Sequence, residues 1–307
     1  MLNVALIFPG QGAQKVGMGE EFYDASLQAK AIFDKAESIL QNGLLDAIFN
    51  GPQEKLTLTA YCQPAIFTFS VAALAALEAH PKFKNISVKF TAGLSLGEYS
   101  ALCASKAFSF EDGLRLVERR SFFMEEATKT AKGAMAAVIG FDKKRLAEIC
   151  KETGAEVANF NSPDQIVITG HADKVHAASE KIRAEGAKTV IPLDVSGAFH
   201  STLMRPAALN FAKELEKTNI HPTTIPCITN VTASVQSTPA DIRKNLALQI
   251  TSSVRWDESI QHMAKEGVTT FLEVGPGTVL KGLMRKIDSN LKVFNIQKPE
   301  DIDNLPF

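Results

Sequence analysis

The apolar positions of the chain fall into two patterns. Short unbroken runs closed by glycine or proline, such as residues 3–8 ahead of Pro9-Gly10-Gln11-Gly12, predict strands buried on both faces. Longer stretches that repeat at three and four residues predict helices over 22–40, 60–79, 100–107 and 112–127, with a second strand at 88–92 between them. Strands alternating with helices imply a mainly parallel sheet with helices on both faces, the α/β class. From Gly133 the texture changes to strand 134–139, helix 143–152, strands 156–160 and 165–169, helix 172–184 and strand 188–193. That order, β-α-β-β-α-β, is the split βαβ of a ferredoxin-like unit, here inserted into the larger one. The expected organisation is a discontinuous large subdomain over 1–130 and 196–307, and a small ferredoxin-like subdomain over 131–195. Beyond it the pattern predicts a helix to 217, a strand at 225–229, helices at 240–250 and 254–266, a strand at 270–274, and a helix after Gly275-Pro276-Gly277. The Pro-Glu-Asp-rich tail after Lys298 is expected to be poorly ordered.

Composition narrows the class. A chain of 307 residues that is 45% hydrophobic can bury a sizeable core. With 33 basic against 34 acidic side chains, it offers no global attraction to nucleic acid or to an anionic membrane. Cys62, Cys103, Cys150 and Cys227 are dispersed with no Cys-x-x-Cys pair, which argues against a zinc site and a disulfide framework and favours the cytoplasm. The apolar start lacks a basic flank and stops at Pro9, so neither signal peptide nor anchor is expected. The run 65–77, interrupted by Thr68 and Ser70, reads as a buried helix. A monomer is the default expectation.

The chemistry concentrates at Gly93-Leu94-Ser95-Leu96-Gly97, a Gly-x-Ser-x-Gly turn between a predicted strand and a predicted helix. Such a corner makes a serine hydroxyl a nucleophile, although a glycine-containing βα turn can also hold a serine by accident. Of six histidines, His80, His171, His176, His221 and His262 lie at element boundaries or on polar helix faces. His200 follows the small-residue stretch Ser196-Gly197-Ala198-Phe199 and is the candidate base, with a helix-capping role as the alternative. Asp164, Asp173 and Asp194 all fall in the inserted segment, so a dyad oriented by a neutral oxygen is expected instead of an acid-completed triad. The amide of Leu96 and one from Gly10-Gln11-Gly12 can stabilise an oxyanion. Read as a phosphate cradle, that loop lacks the third glycine of the dinucleotide fingerprint, because position 15 is Lys15. Arg120 lies on a core-facing stripe with Leu116, Phe123 and Ala127, where a guanidinium needs either a substrate anion or a structural acid.

Phe8-Pro9-Gly10-Gln11-Gly12, Gly93-Leu94-Ser95-Leu96-Gly97-Glu98, Arg120 followed by Met124, Gly133-Ala134-Met135, Asn159-Phe160-Asn161-Ser162-Pro163, Gly197-Ala198-Phe199-His200-Ser201 and Glu273-Val274-Gly275-Pro276-Gly277 occur in this order. Together they resemble the malonyl-CoA:acyl carrier protein transacylase family, nearly end to end. The resemblance implies a hydrolase-like α/β fold with the inserted subdomain, and transfer of malonyl from malonyl-CoA to the phosphopantetheine thiol of acyl carrier protein for fatty-acid synthesis. It makes Ser95 the acylated nucleophile and His200 the base and acid, oriented by the carbonyl of Gln249. The amides of Gln11 and Leu96 become the oxyanion hole, and Arg120 a two-pronged clamp on the malonyl carboxylate. Asn161 lines the site, and Phe199 excludes a branch at the acyl α-carbon. No metal or cofactor is called for. Leu94 departs from the histidine often found before the nucleophile, which changes the polarity beneath the thioester but removes no catalytic group. A serine hydrolase and a non-catalytic carrier-binding module are the rival readings, and Lys143, Lys144, Lys188 and Arg285 are candidate contacts for an acidic carrier.

Overall fold

The computed structural model describes residues 1–307. Its strands are β1 (Leu2–Phe8), β2 (Ile86–Gly93), β3 (Gly133–Ile139), β4 (Glu156–Ser162) and β5 (Gln165–His171), followed by β6 (Thr189–Pro192), β7 (Cys227–Ile228), β8 (Val235–Gln236), β9 (Thr270–Val274) and β10 (Lys292–Ile296). Six of them form one sheet in the order β10-β9-β1-β2-β7-β8, parallel except for the β7–β8 pair. Successive side chains of a strand point to opposite faces, and both faces of β1 are covered. Val4, Leu6 and Phe8 join the larger core with the helices Thr59–Ala79 and Phe110–Thr128. Ala5 and Ile7 join a second core with Trp256, Ile260 and Met263 of the helix Trp256–Lys265. The helix Thr59–Ala79 is long and apolar enough to cross a membrane, but it is spent on the core, with Ile66, Phe67, Ala73 and Leu77 wholly buried. This is the α/β architecture expected from the alternation of patterns.

The remaining four strands form a separate antiparallel sheet in the order β4-β5-β3-β6. The helices Lys143–Thr153 and Ala172–Ala184 pack on it through Leu146, Ile149, Val175 and Ile182. Its contacts with the large sheet reach the segments that carry chemistry. The amide of Val254 donates to the Ala158 carbonyl and that of Phe160 to the Val254 carbonyl, each at 2.8 Å, tying β4 to the chain just after Gln249. The Thr169 hydroxyl donates to the Phe199 carbonyl at 2.9 Å, and the Glu156 carboxylate accepts from the amide and hydroxyl of Thr202, so the loop bearing His200 is held from both sides.

Three expectations fail locally. The tail after Lys298 is ordered: a helix runs over Pro299–Asp303, Asp301 accepts from the amides of Gln297 and Lys298, and Ile302 and Leu305 are buried. Its charged composition concealed two apolar anchors. The strand β10 was not foreseen either; it pairs with β9 over its whole length, and Val293 and Ile296 supply its buried positions. The stretch 22–40 is not one helix, because Ser26 adopts an extended conformation, ends Glu20–Ala25 and caps Leu27–Leu40 by accepting from the Ala29 amide.

The corner after β2 is the tightest place in the fold. A Cβ on Gly93 would lie 1.9 Å from the Gly97 carbonyl carbon, and one on Gly97 would lie 2.1 Å from the carbonyl oxygen of Phe8. Both clashes are with backbone, and relieving them would push the start of the helix Gly97–Ala104 away from the ends of β1 and β2. Gly97→Ala is therefore expected to destabilise the protein by about 3 kcal/mol or more. A urea denaturation midpoint within error of the parent would refute this.

Candidate active site

Parallel pairing of β1 with β2 in the register Phe8↔Gly93 brings the loops that follow the two strands side by side at their carboxyl ends. The strand order runs outward from β1 in both directions, the topology at which open α/β sheets form their crevices. Here a cavity of about 350 Å³ is lined from the large lobe by Gln11, Ser95, Leu96 and Arg120 and from the small sheet by Met135 and Asn161.

Ser95 stands at the corner with φ 52°, in the left-handed region that side chains rarely adopt, and the helix Gly97–Ala104 starts two residues later. Its Oγ lies 2.7 Å from Nε2 of His200. Nδ1 of His200 lies 2.8 Å from the Gln249 carbonyl. A carbonyl can only accept, so Nδ1 carries the proton and Nε2 is free to take one from Ser95. Gln249 ends the helix Pro239–Gln249, and carbonyls of a last helical turn have no partner within the helix. The neutral oxygen expected in place of an acid is thus a helix-end carbonyl, which otherwise accepts only a long bond from the Ser252 amide at 3.4 Å. Burial is the main force pushing the His200 pKa down, to about 4 from 6.5; the Arg120 charge acts in the same direction, and the Gln249 carbonyl opposes them. At neutral pH the imidazole is therefore uncharged, the form a general base requires.

Arg120 is 1% exposed. Its Nη1 donates to Oε1 of Gln63 at 2.7 Å, and its Nη2 donates to Oε1 of Gln249 and to Oγ of Ser95, both at 3.1 Å. None of these acceptors is charged, and Nε has no partner at all. A buried guanidinium without a bonded carboxylate, 3.1 Å from a nucleophile, is a site prepared for an anion.

The amides of Gln11 and Leu96 both belong to residues lining the cavity, and neither makes a hydrogen bond within the chain. Asn161 is buried with an unpartnered Oδ1, and Phe199 lines the same wall as His200. Leu94 makes its side of the cavity apolar, together with Val279 and Leu283. No three His, Cys, Asp or Glu side chains are grouped to hold a metal ion. The eight residues singled out from the sequence therefore surround one cavity or, in the case of Gln249, bond directly to side chains that line it.

Three further polar residues, Gln63, Asn230 and Glu98, belong to the same network. Gln63 lies in an apolar helix as its one long polar side chain that is buried, Glu78 near the other end being exposed. Asn230, just past β7, has Oδ1 2.7 Å from the Ser95 amide and Nδ2 2.7 Å from the Gly93 carbonyl, bracing the corner. Glu98, the residue after Gly97, is wholly buried beneath it. A polar residue inside an otherwise apolar run was the available signal for Gln63, whereas Asn230 gave none.

A family model described as "Acyl transferase domain" matches residues 5–297. The malonyl CoA-acyl carrier protein transacylase of Bacillus subtilis (strain 168) is 46% identical over 310 residues, covering 99% of this chain and 96% of that protein. Among solved structures, the acyl-carrier-protein-S-malonyltransferase from Bartonella henselae superposes with a TM-score of 0.94 at 40% identity, covering 99% of this chain and 98% of that one. A malonyl-transacylase in complex with its type II PKS acyl-carrier protein superposes with a TM-score of 0.93 at 34% identity, covering 99% and 98%.

The state of His200 is open to direct measurement with a serine-directed fluorophosphonate probe. The labelling rate of Ser95 should stay level as the pH falls through 6.5 and decline only toward about 4, because the imidazole gains its proton late. In Arg120→Ala that acid limb should move up, since a like charge has been removed. A limb at the ordinary histidine value in the parent protein would contradict the buried, neutral base.

Proposed function

We propose, from the premise that this chain belongs to the acyl transferase family, a role for each residue of the site in the reaction it carries out. The chain transfers the malonyl group of malonyl-CoA to the phosphopantetheine thiol of acyl carrier protein, by a ping-pong route through a malonyl-serine. Ser95 Oγ attacks the thioester carbonyl while its proton passes to Nε2 of His200. The oxyanion that forms is held by the amides of Leu96 and Gln11, and it collapses as His200 returns the proton to the departing CoA sulfur. In the second half the same imidazole removes the proton of the carrier thiol, the thiolate attacks the malonyl ester, and Ser95 leaves as its hydroxyl is restored. The Gln249 carbonyl steadies the imidazolium in both halves, at the end of a helix whose dipole favours a cation there.

The observation that carries the malonyl assignment is Arg120. Its bonded partners are all neutral and its Nε is free, so the guanidinium keeps donors for an anion that no protein group occupies, and a carboxylate one carbon beyond the acyl carbonyl can take them. Asn161 assists at the same carboxyl or at the thioester, and Phe199 restricts the α-carbon. The reaction calls on no cofactor beyond its two substrates. We place it in the cytoplasm in the service of fatty-acid synthesis, with residues 131–195 as the subdomain that closes the cavity over the discontinuous subdomain 1–130 and 196–307.

Brief exposure to malonyl-CoA should raise the intact mass by one malonyl group, at Ser95, and added holo carrier protein should remove it. Release of free malonate at the same rate with and without carrier would mark a hydrolase instead. Arg120→Ala should lower kcat/KM for malonyl-CoA about 100-fold while sparing acetyl transfer, the loss expected when a charge-assisted contact is removed. Equal loss on both substrates would make the arginine structural.

A further inference from the structure

Beneath the site lies a carboxylate that the reaction does not use. Glu98 is fully buried in the first turn of the helix Gly97–Ala104, where the helix dipole favours a negative charge. Its Oε2 accepts from Nε2 of Gln249 at 2.6 Å and from the Asn230 amide at 3.2 Å, and its Oε1 accepts from Nε2 of Gln236 at 2.6 Å. Every one of these neighbours is a donor, the set that an ionised carboxylate satisfies and a protonated one does not; burial, the larger influence, still holds the carboxyl pKa above its ordinary value against these bonds.

We infer that Glu98 is the positioning residue that sets the selectivity of the transferase, by fixing which way the Gln249 side-chain amide faces. That amide has two ends with different chemistry. Its Nε2 points at acceptors only, namely Glu98, the Ser95 carbonyl at 3.0 Å and Oδ1 of Asn230 at 3.4 Å, and this leaves Oε1 for Nη2 of Arg120. Arg120 and Glu98 thereby form a pair of buried opposite charges joined through a neutral amide. The guanidinium is balanced without being consumed by a direct ion pair, and its remaining donors stay available to a substrate carboxylate. A carboxylate bonded directly to Arg120 would occupy the anion site; no carboxylate at all would leave the buried charge unbalanced. Glu98 also holds Asn230, which accepts from the Ser95 amide, so one side chain that touches no substrate aligns the clamp and the nucleophile's corner together.

This inference rests on the malonyl-transfer reading, and the test separates the two. The parent enzyme and Glu98→Gln are compared with malonyl-CoA and acetyl-CoA, with rates normalised to the number of acylatable serines. In Glu98→Gln one amide N–H₂ must face the amide of Gln249 or Gln236, and the negative charge is lost. The expected result is a fall of about 10- to 100-fold in kcat/KM for malonyl transfer, carried largely by KM, and a matching fall in the malonyl-to-acetyl ratio. In an Arg120→Ala background the same substitution should leave the ratio within about two-fold, because the two act as one unit. A structural role alone would lower the number of active sites and leave KM and the ratio per site unchanged, and that outcome overturns the inference. If Glu98→Gln does not fold, Gln236→Leu, which strips one donor from the carboxylate, carries the test: a lowered ratio supports the inference and an unchanged one overturns it. Failure of the parent enzyme to transfer malonyl at all would instead sink the reading beneath it.

Discussion

A guanidinium buried beside a nucleophile, with no carboxylate bonded to it, is the constraint to which the rest of the site answers. Arg120 cannot stay charged in a dry interior without acceptors, and it cannot serve a substrate anion if a protein anion already holds it. The solution is a set of neutral oxygens, from Gln63, Gln249 and Ser95, with the compensating charge of Glu98 placed one amide further away. Burial keeps the imidazole of His200 neutral, the Arg120 charge acts in the same direction, and the helix-end carbonyl of Gln249 is the neutral partner that holds its Nδ1.

Strand register sets the distances. Ser95 and Gln11 are 84 positions apart, yet the parallel pairing of Phe8 with Gly93 makes them neighbours, and the close approach of the Gly97 region to the Phe8 carbonyl keeps the two loops in contact. His200 arrives from another direction, on a loop pinned by Thr169 and Glu156 of the small antiparallel sheet. Each lobe supplies part of the cavity wall, and the two-bond bridge between β4 and Val254 fixes their relation next to Gln249. Ser95 Oγ and His200 Nε2, 2.7 Å apart, are thus held by hydrogen bonds on rigid elements, the arrangement that the proposed reuse of one imidazole as base and then as acid requires.

Much of this was legible along the chain, for a physical reason that differs from feature to feature. Buried parallel strands and amphipathic helices write their periods into the sequence, so the α/β pattern, the β-α-β-β-α-β segment and the Gly-x-Ser-x-Gly corner could be read directly. The tail after Lys298 misled because charge dominates its composition, whereas order there depends on two side chains, Ile302 and Leu305, reaching the core. The strand β10 was missed because a five-residue edge strand carries too few positions to show a period.

By itself the sequence determined the local chemistry: a serine at a corner only glycine permits, a histidine after a run of small residues, an arginine on an apolar stripe. These follow from sterics and burial within a few residues, which is the range over which a sequence speaks without a fold. Only the tertiary structure decided the partners. That Gln249 would present its backbone to His200 and its side chain to Arg120, that Asn230 would brace the corner from the turn after β7, and that Glu98 would balance a charge on a separate helix are consequences of long-range packing. Hydrogen bonds between residues 49 to 151 positions apart leave no periodic trace, because their geometry is created by the sheet and the helices that carry them, not by the neighbours of either residue along the chain.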